Sequence, residues 1–383
     1  MQNIIKFIKK EATLIVGMII TIILIFIPSS YGISEAYNGT IQAKATVIDV
    51  DNSMIKTIGV IQMGEQRCKL KIDNGEFNEE EYYGINLLTG SLENDKIFEI
   101  GDKALVSLSI TDGNITSISM IDHYRLNYEI ILAIILVVFL IIFAGKTGLR
   151  SVFSFIITVL ALWKILIPLY LNGINPIAVG LIIVISLTII IELFVFGFNK
   201  KTLSAVSGGI LGIFATCLLG MLFTSLFKIH GAIMPNSESL IYNGHENIDL
   251  TKIYMATIFI GSSGALMDIS TDITQSMVEV VGQNPNIKFK DAMLSGFRVG
   301  RAAMGTMTTT LLLAYAGGFI SLLMSFVSQG IPIICILNYK TVSAEILDTL
   351  VGSFGLIAVA PFTAITSAFF LTKKHRKQYD LYS

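Results

Sequence analysis

Residues 177–198 read IAVGLIIVISLTIIIELFVFGF, and the only charged side chain in this stretch is Glu192. A helix needs about 20 mainly apolar residues to cross the hydrocarbon core of a bilayer, so this stretch predicts a transmembrane helix. The whole chain has the same bias, because 53% of its 383 residues are hydrophobic and 14% are charged. A soluble domain has roughly 25% charged residues. The sequence is therefore typical of an integral membrane protein.

Seven further apolar runs predict an α-helical polytopic membrane protein with about eight transmembrane helices. In chain order the eight runs occupy residues 13–27, 128–144, 151–170, 177–198, 203–227, 253–269, 304–327 and 346–371. Lys and Arg of short loops concentrate on the cytoplasmic side of a membrane, and the basic clusters of this chain fall at every second connection. These clusters are Lys6, Lys9 and Lys10; Lys146 and Arg150; Lys200 and Lys201; Lys288, Lys290, Arg298 and Arg301; and the basic tail at 373–383. The pattern predicts a multipass protein of the cytoplasmic membrane with both termini in the cytoplasm.

The first apolar run has two explanations. Its charged start and short apolar core suit a signal peptide, whereas residues 29–34 lack the small-residue pattern of a cleavage site. This favours a retained membrane anchor over residues 1–30. Both explanations place the following segment outside the cytoplasm.

Residues 31–125 have a different pattern and predict an extracytoplasmic β domain. Apolar and polar residues alternate at 41–47 and 104–110, and the turn sequences DNS (51–53), DNG (73–75) and TDGN (111–114) separate the alternating stretches. Alternation with period two is typical of strands with one buried face. About five strands in this length predict a small β-barrel, and we expect an OB-like topology.

Residues 126–372 are expected to form a seven-helix membrane domain. Between its sixth and seventh spans as numbered along the whole chain, residues 270–300 are amphipathic, with Pro285 as a break. We expect this segment to lie on the cytoplasmic surface.

Glu192 and Asp268 are the ionisable residues expected deep in the membrane. Each lies roughly 23 Å from the outer end of its span at 1.5 Å per residue, so both share one level. Asp268 lies on a helical face that also carries Gly261, Gly264 and Asp272. Charged groups at this depth face protein or water, and glycines let a neighbouring helix approach. We expect this face in the protein interior or beside a water-filled cavity.

The next span begins with a high density of polar groups. Arg298 and Arg301 precede Thr306 and Thr309, and the threonines are expected at the depth of the two carboxylates. One interpretation is a polar pathway for ions, protons or a small solute, with the arginines pairing with residues such as Asp272. The other is structural, with paired charges and threonines holding helices together.

Other small or charged residues predict structure rather than chemistry. Gly208 and Gly212 belong to a small-residue stripe that predicts a helix-packing seam. Lys164 is expected to extend to the outer surface, and Asp348 is expected to be hydrated within a turn of an outer helix end. These residues are not candidates for the pathway.

The sequence argues against catalysis and metal chemistry. Cys68, Cys217 and Cys335 are widely spaced, no histidine lies in a predicted span, and no P-loop or HExxH motif is present. We expect no enzyme activity, no metal and no cofactor. The net charge of -1 gives no reason to expect a nucleic-acid partner.

Two stretches resemble a known family. Residues 264–270 read GALMDIS and residues 301–318 read RAAMGTMTTTLLLAYAGG, and both are similar to the YibE/F-like family of bacterial multipass membrane proteins. The similarity extends to GKTGLR at 145–150 and GSFG at 352–355. The resemblance implies a location and an architecture, and it implies no particular reaction or substrate.

Two functional hypotheses follow. The first is a permease that moves an ion or small solute through a polar cavity near the fourth, sixth and seventh spans. The alternative is a non-transporting envelope scaffold or sensor whose outer β domain binds a partner. The expected partners are the lipid bilayer, an unidentified small solute or ion, and other copies or subunits, since small-residue stripes also pack between chains.

Overall fold

The computed structural model describes residues 2–28 and 39–379, with side chains at 13–28 and 39–372. The cleavage region considered at 29–34 and the side chains of the basic tail lie outside the described residues. The chain divides into two compact units, one formed by Met1–Ser29 with Leu140–Ser383 and the other by Ser30–Phe139. Each unit contains its own hydrophobic core.

The Ser30–Phe139 unit contains a closed five-stranded barrel. Its strands are β1 (Thr40–Ile58), β2 (Ile61–Ile72), β3 (Glu81–Thr89), β4 (Lys103–Thr111) and β5 (Asn114–His123). Their order around the barrel is β1-β2-β3-β5-β4, and β4 closes on β1. All neighbouring strands are antiparallel except β3 and β5, which are parallel. The predicted small β-barrel is confirmed, and its strand order is that of an OB-type barrel.

Alternation along the strands builds the barrel core. Ala45 of β1, Leu70 of β2 and Ala104 of β4 are fully buried, while their neighbours in sequence are more exposed. Phe98, from the connection between β3 and β4, also enters this core. The buried Gln66 amide holds that connection in place, because its Nε2 donates to Phe98 O at 2.9 Å and its Oε1 accepts from Phe98 N at 3.0 Å.

The remaining elements are helical. They are α1 (Gln2–Phe26), α2 (Leu126–Ala161), α3 (Ile167–Leu171), α4 (Pro176–Phe196), α5 (Lys200–Leu226), α6 (Ser237–Tyr242), α7 (Leu250–Gln283), α8 (Phe289–Gly317), α9 (Ile320–Ser328), α10 (Ile333–Leu337) and α11 (Lys340–Tyr379). A π-helical turn, Leu162–Leu166, joins α2 to α3, and a 3-10 turn, Gly231–Ile233, follows α5. Asn175 and Asn199 cap the first turns of α4 and α5 with their side-chain oxygens.

Among the described residues, five helical stretches are long and apolar enough to cross a membrane. They are Leu126–Leu171, Pro176–Phe196, Lys200–Leu226, Leu250–Gln283 and Lys340–Thr372, and α8 with α9 makes a sixth if this pair counts as one bent span. The count of eight stays a prediction. To reach eight, the first stretch has to be counted as two spans, divided at Gly145, whose φ of 54° and ψ of -124° are not helical. The shorter apolar helix Thr13–Phe26 has to be counted as one more.

Two local expectations differ from the structure. Residues 270–283 continue α7 without a break, and their buried side chains Ile273 and Met277 pack in the helical core. They are therefore not a separate surface segment. The predicted span 304–327 bends by 63° between α8 and α9, at the Gly317-Gly318 pair. Lys164 donates from Nζ to Ile27 O, just beyond the C-terminal end of α1, at 3.0 Å, and its extension to the outer surface stays a prediction.

Helix α11 lies at the centre of the helical unit, in contact with α5, α7 and α8. The α5 glycines of the predicted packing seam lie against it. A Cβ atom added at Gly208 would be 2.6 Å from Thr363 Cα, and one at Gly212 would be 2.8 Å from Val359 Cβ. Gly296 and Gly300 of α8 also lie close to α11, against Ala364 and Ala360 respectively. Small residues thus set the distances between these helices.

We expect Gly208→Ala to lower the free energy of unfolding by about 1–3 kcal/mol, because the added methyl group forces α5 away from the α11 backbone. Thermal unfolding of the purified protein in detergent measures the change. Gly282→Ala is the matched control, since Gly282 in α7 has no atom within 4 Å of an added Cβ. Equal stability of the two variants would contradict the close contact at Gly208.

Candidate functional site

Glu192 lies near the C-terminal end of α4 and is completely buried. Its Oε1 accepts a hydrogen bond from Thr271 Oγ1 of α7 at 2.9 Å. Its Oε2 is buried and has no hydrogen-bond partner among the described residues. Asp268, one turn before Thr271, is close enough to act electrostatically on Glu192. The structure therefore brings together the two carboxylates that the sequence places at one depth.

Asp268 itself lies on the outward face of α7, with its side chain exposed on the surface of the helical unit. Gly261, Gly264 and Asp272 are exposed on the same face. The opposite face of α7, which includes Leu266, packs into the core. Of the two settings expected for this face, the protein interior is therefore wrong, and a place beside a water-filled cavity stays a prediction. The outward face is the α7 polar strip, defined by Gly261, Gly264, Asp268, Asp272, Gln275 and Glu279.

The polar residues of α8 do not join this site. Gly296 and Gly300 mark the inward face of α8, through contacts with Met277 and Ile273 of α7. Arg298 and Thr309 are exposed and project from the other side of the helix, because they lie two residues out of phase with the inward stripe. Arg301 and Thr306 are exposed as well. Within the described part of the chain, the ion pairs include neither arginine.

The threonine hydroxyls of α8 bond to their own helix. Thr306 donates to Ala303 O at 3.3 Å, Thr308 to Met304 O at 2.9 Å and Thr310 to Thr306 O at 3.0 Å. Such bonds let a hydroxyl face lipid without losing its hydrogen bond. These three bonds stay within α8, so they support neither the polar pathway nor a link between helices.

In the N-terminal half of α7, Tyr315 of α8 extends over the polar strip. An added Cβ at Gly261 would be 2.8 Å from the Tyr315 hydroxyl. That hydroxyl and Asp348 Oδ1 of α11 are buried without a hydrogen-bond partner among the described residues, and they interact electrostatically. Asp348 is therefore less hydrated than its position near a helix end suggested. The sequence did not identify Tyr315 as a site residue, because an aromatic residue in an apolar run usually packs in a core.

The structure also contains a network of buried hydroxyl groups between α5, α7 and α11 that the sequence did not predict. Ser204 of α5 donates to Ser367 of α11 at 2.6 Å, and Ser367 contacts Thr274 of α7 at 3.2 Å. Nearby, Thr363 donates to Ser270 at 3.3 Å, and Ser270 donates to Ala205 O at 2.6 Å. All these side chains are buried. They join α5, α7 and α11 and hold Thr271 in position beside Glu192.

The Glu192 site contains acidic and hydroxyl groups. No group of three or more His, Cys, Asp or Glu side chains suited to a metal ion occurs among the described residues. The neighbours that the structure gives Glu192 are an acid and a hydroxyl. Burying a charged carboxylate in a membrane costs free energy unless its charge is offset. We therefore expect a proton or a small cation to bind there.

The model of the YibE/F-like protein family matches residues 132–373 of the chain. The chain belongs to the YibE/F-like family. The matched region contains Glu192 and the whole α7 polar strip, and it begins after the last strand of the barrel. Family membership and the apolar helices together indicate a membrane protein. No curated protein and no solved structure matches the chain.

We expect water to reach the α7 polar strip, because its carboxylates require hydration at this depth. Gly264→Cys in a Cys335→Ser background should react with a charged, membrane-impermeant thiol reagent, since an added side chain at Gly264 meets no atom within 4 Å. Mass spectrometry of the labelled protein in liposomes measures the extent of reaction.

Leu211→Cys is the matched control. Leu211 is also exposed, on α5, and it lies at a similar depth because the adjacent Gly212 packs on Leu266 of α7. Its apolar surroundings should keep the thiol in lipid and unreactive. Equal labelling at both positions, or none at Gly264→Cys, would show that the strip is not a water-accessible surface.

Proposed function

We propose that this YibE/F-like protein is a permease of the cytoplasmic membrane that moves a small cation, or a solute together with a proton, past Glu192 and Asp268. The observation that supports this function is the Glu192 carboxylate. It is fully buried in an apolar helix, and one of its oxygens has no hydrogen-bond partner among the described residues. Such a group is ready to bind a transported cation or proton.

The electrostatics of the site support a cation rather than an anion. Burial of an unpaired carboxylate costs several kcal/mol, and a neighbouring negative charge on Asp268 adds to that cost. A cation or proton that binds between the two groups removes both penalties. An anion would increase them.

The α7 polar strip supplies a path to Glu192. Its acidic residues Asp268, Asp272 and Glu279 follow one another at helical spacing toward the inner end of α7. Such a series attracts cations to one side of the membrane and offers successive binding positions. Toward the other end the strip narrows to Gly264 and Gly261, where Tyr315 lies above the helix.

In this proposal both termini are cytoplasmic and residues 31–125 lie outside. The acidic end of the strip then opens to the cytoplasm. Arg298 and Arg301 are not part of the path, and they extend from α8 toward the cytoplasmic headgroups.

Glu192→Gln should reduce cation movement by about tenfold or more, because an amide keeps the shape of the side chain but has no negative charge and takes up no proton. Asp268→Asn should cause a smaller loss, since Asp268 is exposed. The assay uses the full chain in liposomes, with proton entry followed by an internal pH dye under a potassium diffusion potential, and sodium entry followed by radioactive sodium.

Arg298→Gln is the control, because it changes a charge outside the path. Wild-type liposomes that move neither ion faster than empty liposomes would remove cation transport as the function. Wild-type flux that Glu192→Gln leaves unchanged would remove Glu192 from the pathway.

A second candidate function is partner binding by the barrel. A surface pocket of about 400 Å³ lies on the outer side of β1, β2 and β3, with Asp51, Arg67 and Lys69 beside Tyr83 and Ile85. Tyr83 is 71% exposed, although tyrosine usually packs part of its ring. Exposed aromatic and charged side chains on one face are typical of a binding surface.

The two functions predict different sensitive residues. A strain that lacks the gene is first screened for a condition in which it grows more slowly than wild type. If the protein is a scaffold or sensor, Tyr83→Ser with Ile85→Ser should grow like that strain in this condition, while Glu192→Gln should behave as wild type. If it is a permease, the pattern reverses. Membrane levels of each variant, measured by immunoblot, control for loss of the protein.

A further inference from the structure

A pocket of about 300 Å³ lies between α2 and α4 in the helical unit. One wall is polar and consists of Thr147, Arg150, Ser151, Ser154 and Thr158 of α2. These residues recur at spacings of three or four and share one face of the helix. The pocket is distinct from the Glu192 site, because Glu192 is directed toward Thr271 of α7.

Arg150 is the charged residue of this pocket. Its Nε is buried and has no hydrogen-bond partner among the described residues, and none of the described side chains that line the pocket is acidic. A guanidinium group has five N–H donors in a planar fork that matches the oxygens of a phosphate. The hydroxyls of Thr147 and Ser154 supply further polar contacts. This wall is therefore suited to a phosphate group.

The other wall is apolar and includes Phe155 of α2 and Val195 of α4. Phe155 is 65% exposed and Val195 is 48% exposed, so both leave a hydrocarbon surface open beside the arginine. A phospholipid has a charged headgroup and an apolar acyl chain. The arginine of this pocket suits the headgroup, and the exposed apolar side chains beside it suit the acyl chain.

The position of Arg150 along α2 agrees with this occupant. It lies five residues after Gly145, the point where the helix is interrupted, and it follows the apolar run 128–144. Basic residues at such connections lie at the headgroup level.

We propose that the pocket between α2 and α4 binds the phosphate of an anionic phospholipid, with Arg150 as its principal ligand and the acyl chain along Phe155 and Val195. The bound lipid holds α2 against α4, the helix that carries Glu192. A soluble phosphate compound offers the same phosphate chemistry without the acyl chain, and the experiment separates the two.

The test is thermal unfolding of the full chain, delipidated in detergent, on addition of phosphatidylglycerol, of phosphatidylcholine with the same acyl chains, or of inorganic phosphate. Phosphatidylglycerol should raise the unfolding midpoint of the wild type by about 2–4 °C more than phosphatidylcholine. Arg150→Gln should lose this difference. Lys200→Gln should keep it, because Lys200 is a basic residue at the start of α5 that does not line the pocket.

Native mass spectrometry of the same samples gives an independent measure if Arg150→Gln unfolds too easily for the thermal comparison. Wild type and Lys200→Gln should retain phosphatidylglycerol, and Arg150→Lys should retain less of it. An equal shift or equal retention in wild type and Arg150→Gln overturns the proposal. The remaining case is that inorganic phosphate produces the same Arg150-dependent shift as phosphatidylglycerol. That result overturns the lipid assignment and indicates that the pocket binds a soluble phosphate compound.

Discussion

The close contact between α5 and α11 is the packing constraint on which the helical unit depends. In lipid, apolar side chains gain little from meeting one another, so helices associate where small residues let their backbones approach and where polar groups bond across the gap. Gly208 and Gly212 provide the approach, and the Ser204–Ser367 hydrogen bond provides the polar link. Helix α7 then packs on both helices through Ser270 and Thr274.

This arrangement explains why one carboxylate is buried and another is not. Because the inward face of α7 is occupied by α5 and α11, its polar strip with Asp268 points outward. Thr271 lies at the margin between the two faces, and there it meets Glu192 of α4. Glu192 is buried and one of its oxygens has no hydrogen-bond partner among the described residues, whereas the neighbouring Asp268 is exposed. The two carboxylates therefore differ in their access to water. Such a pair suits the transfer of a cation or proton between an open surface and a closed position.

The family match falls mainly within the helical unit. The match begins at residue 132, beyond the strands of the barrel, and contains α4, α5, α7 and α8 in full. Residues that serve a function common to the family are therefore expected in the helical unit. The barrel has a complete core of its own, with Phe98 held by the Gln66 amide, so its outer face is free to serve a different role.

The sequence by itself determined the apolar helical stretches and the period-two strands, and it predicted a common level for Glu192 and Asp268, because these depend on local periodicity and on counting residues along a helix. It also identified Gly208 and Gly212 as packing residues from their spacing. It did not determine which way a polar helix face points, since a helix with one polar strip satisfies the same pattern whether that strip meets water, lipid or protein. Only the tertiary structure decided that Asp268 faces outward, that the α8 threonines bond to their own backbone and that Asp348 has a buried oxygen. These features depend on which helices are neighbours, and that choice is made by contacts between residues far apart in the chain.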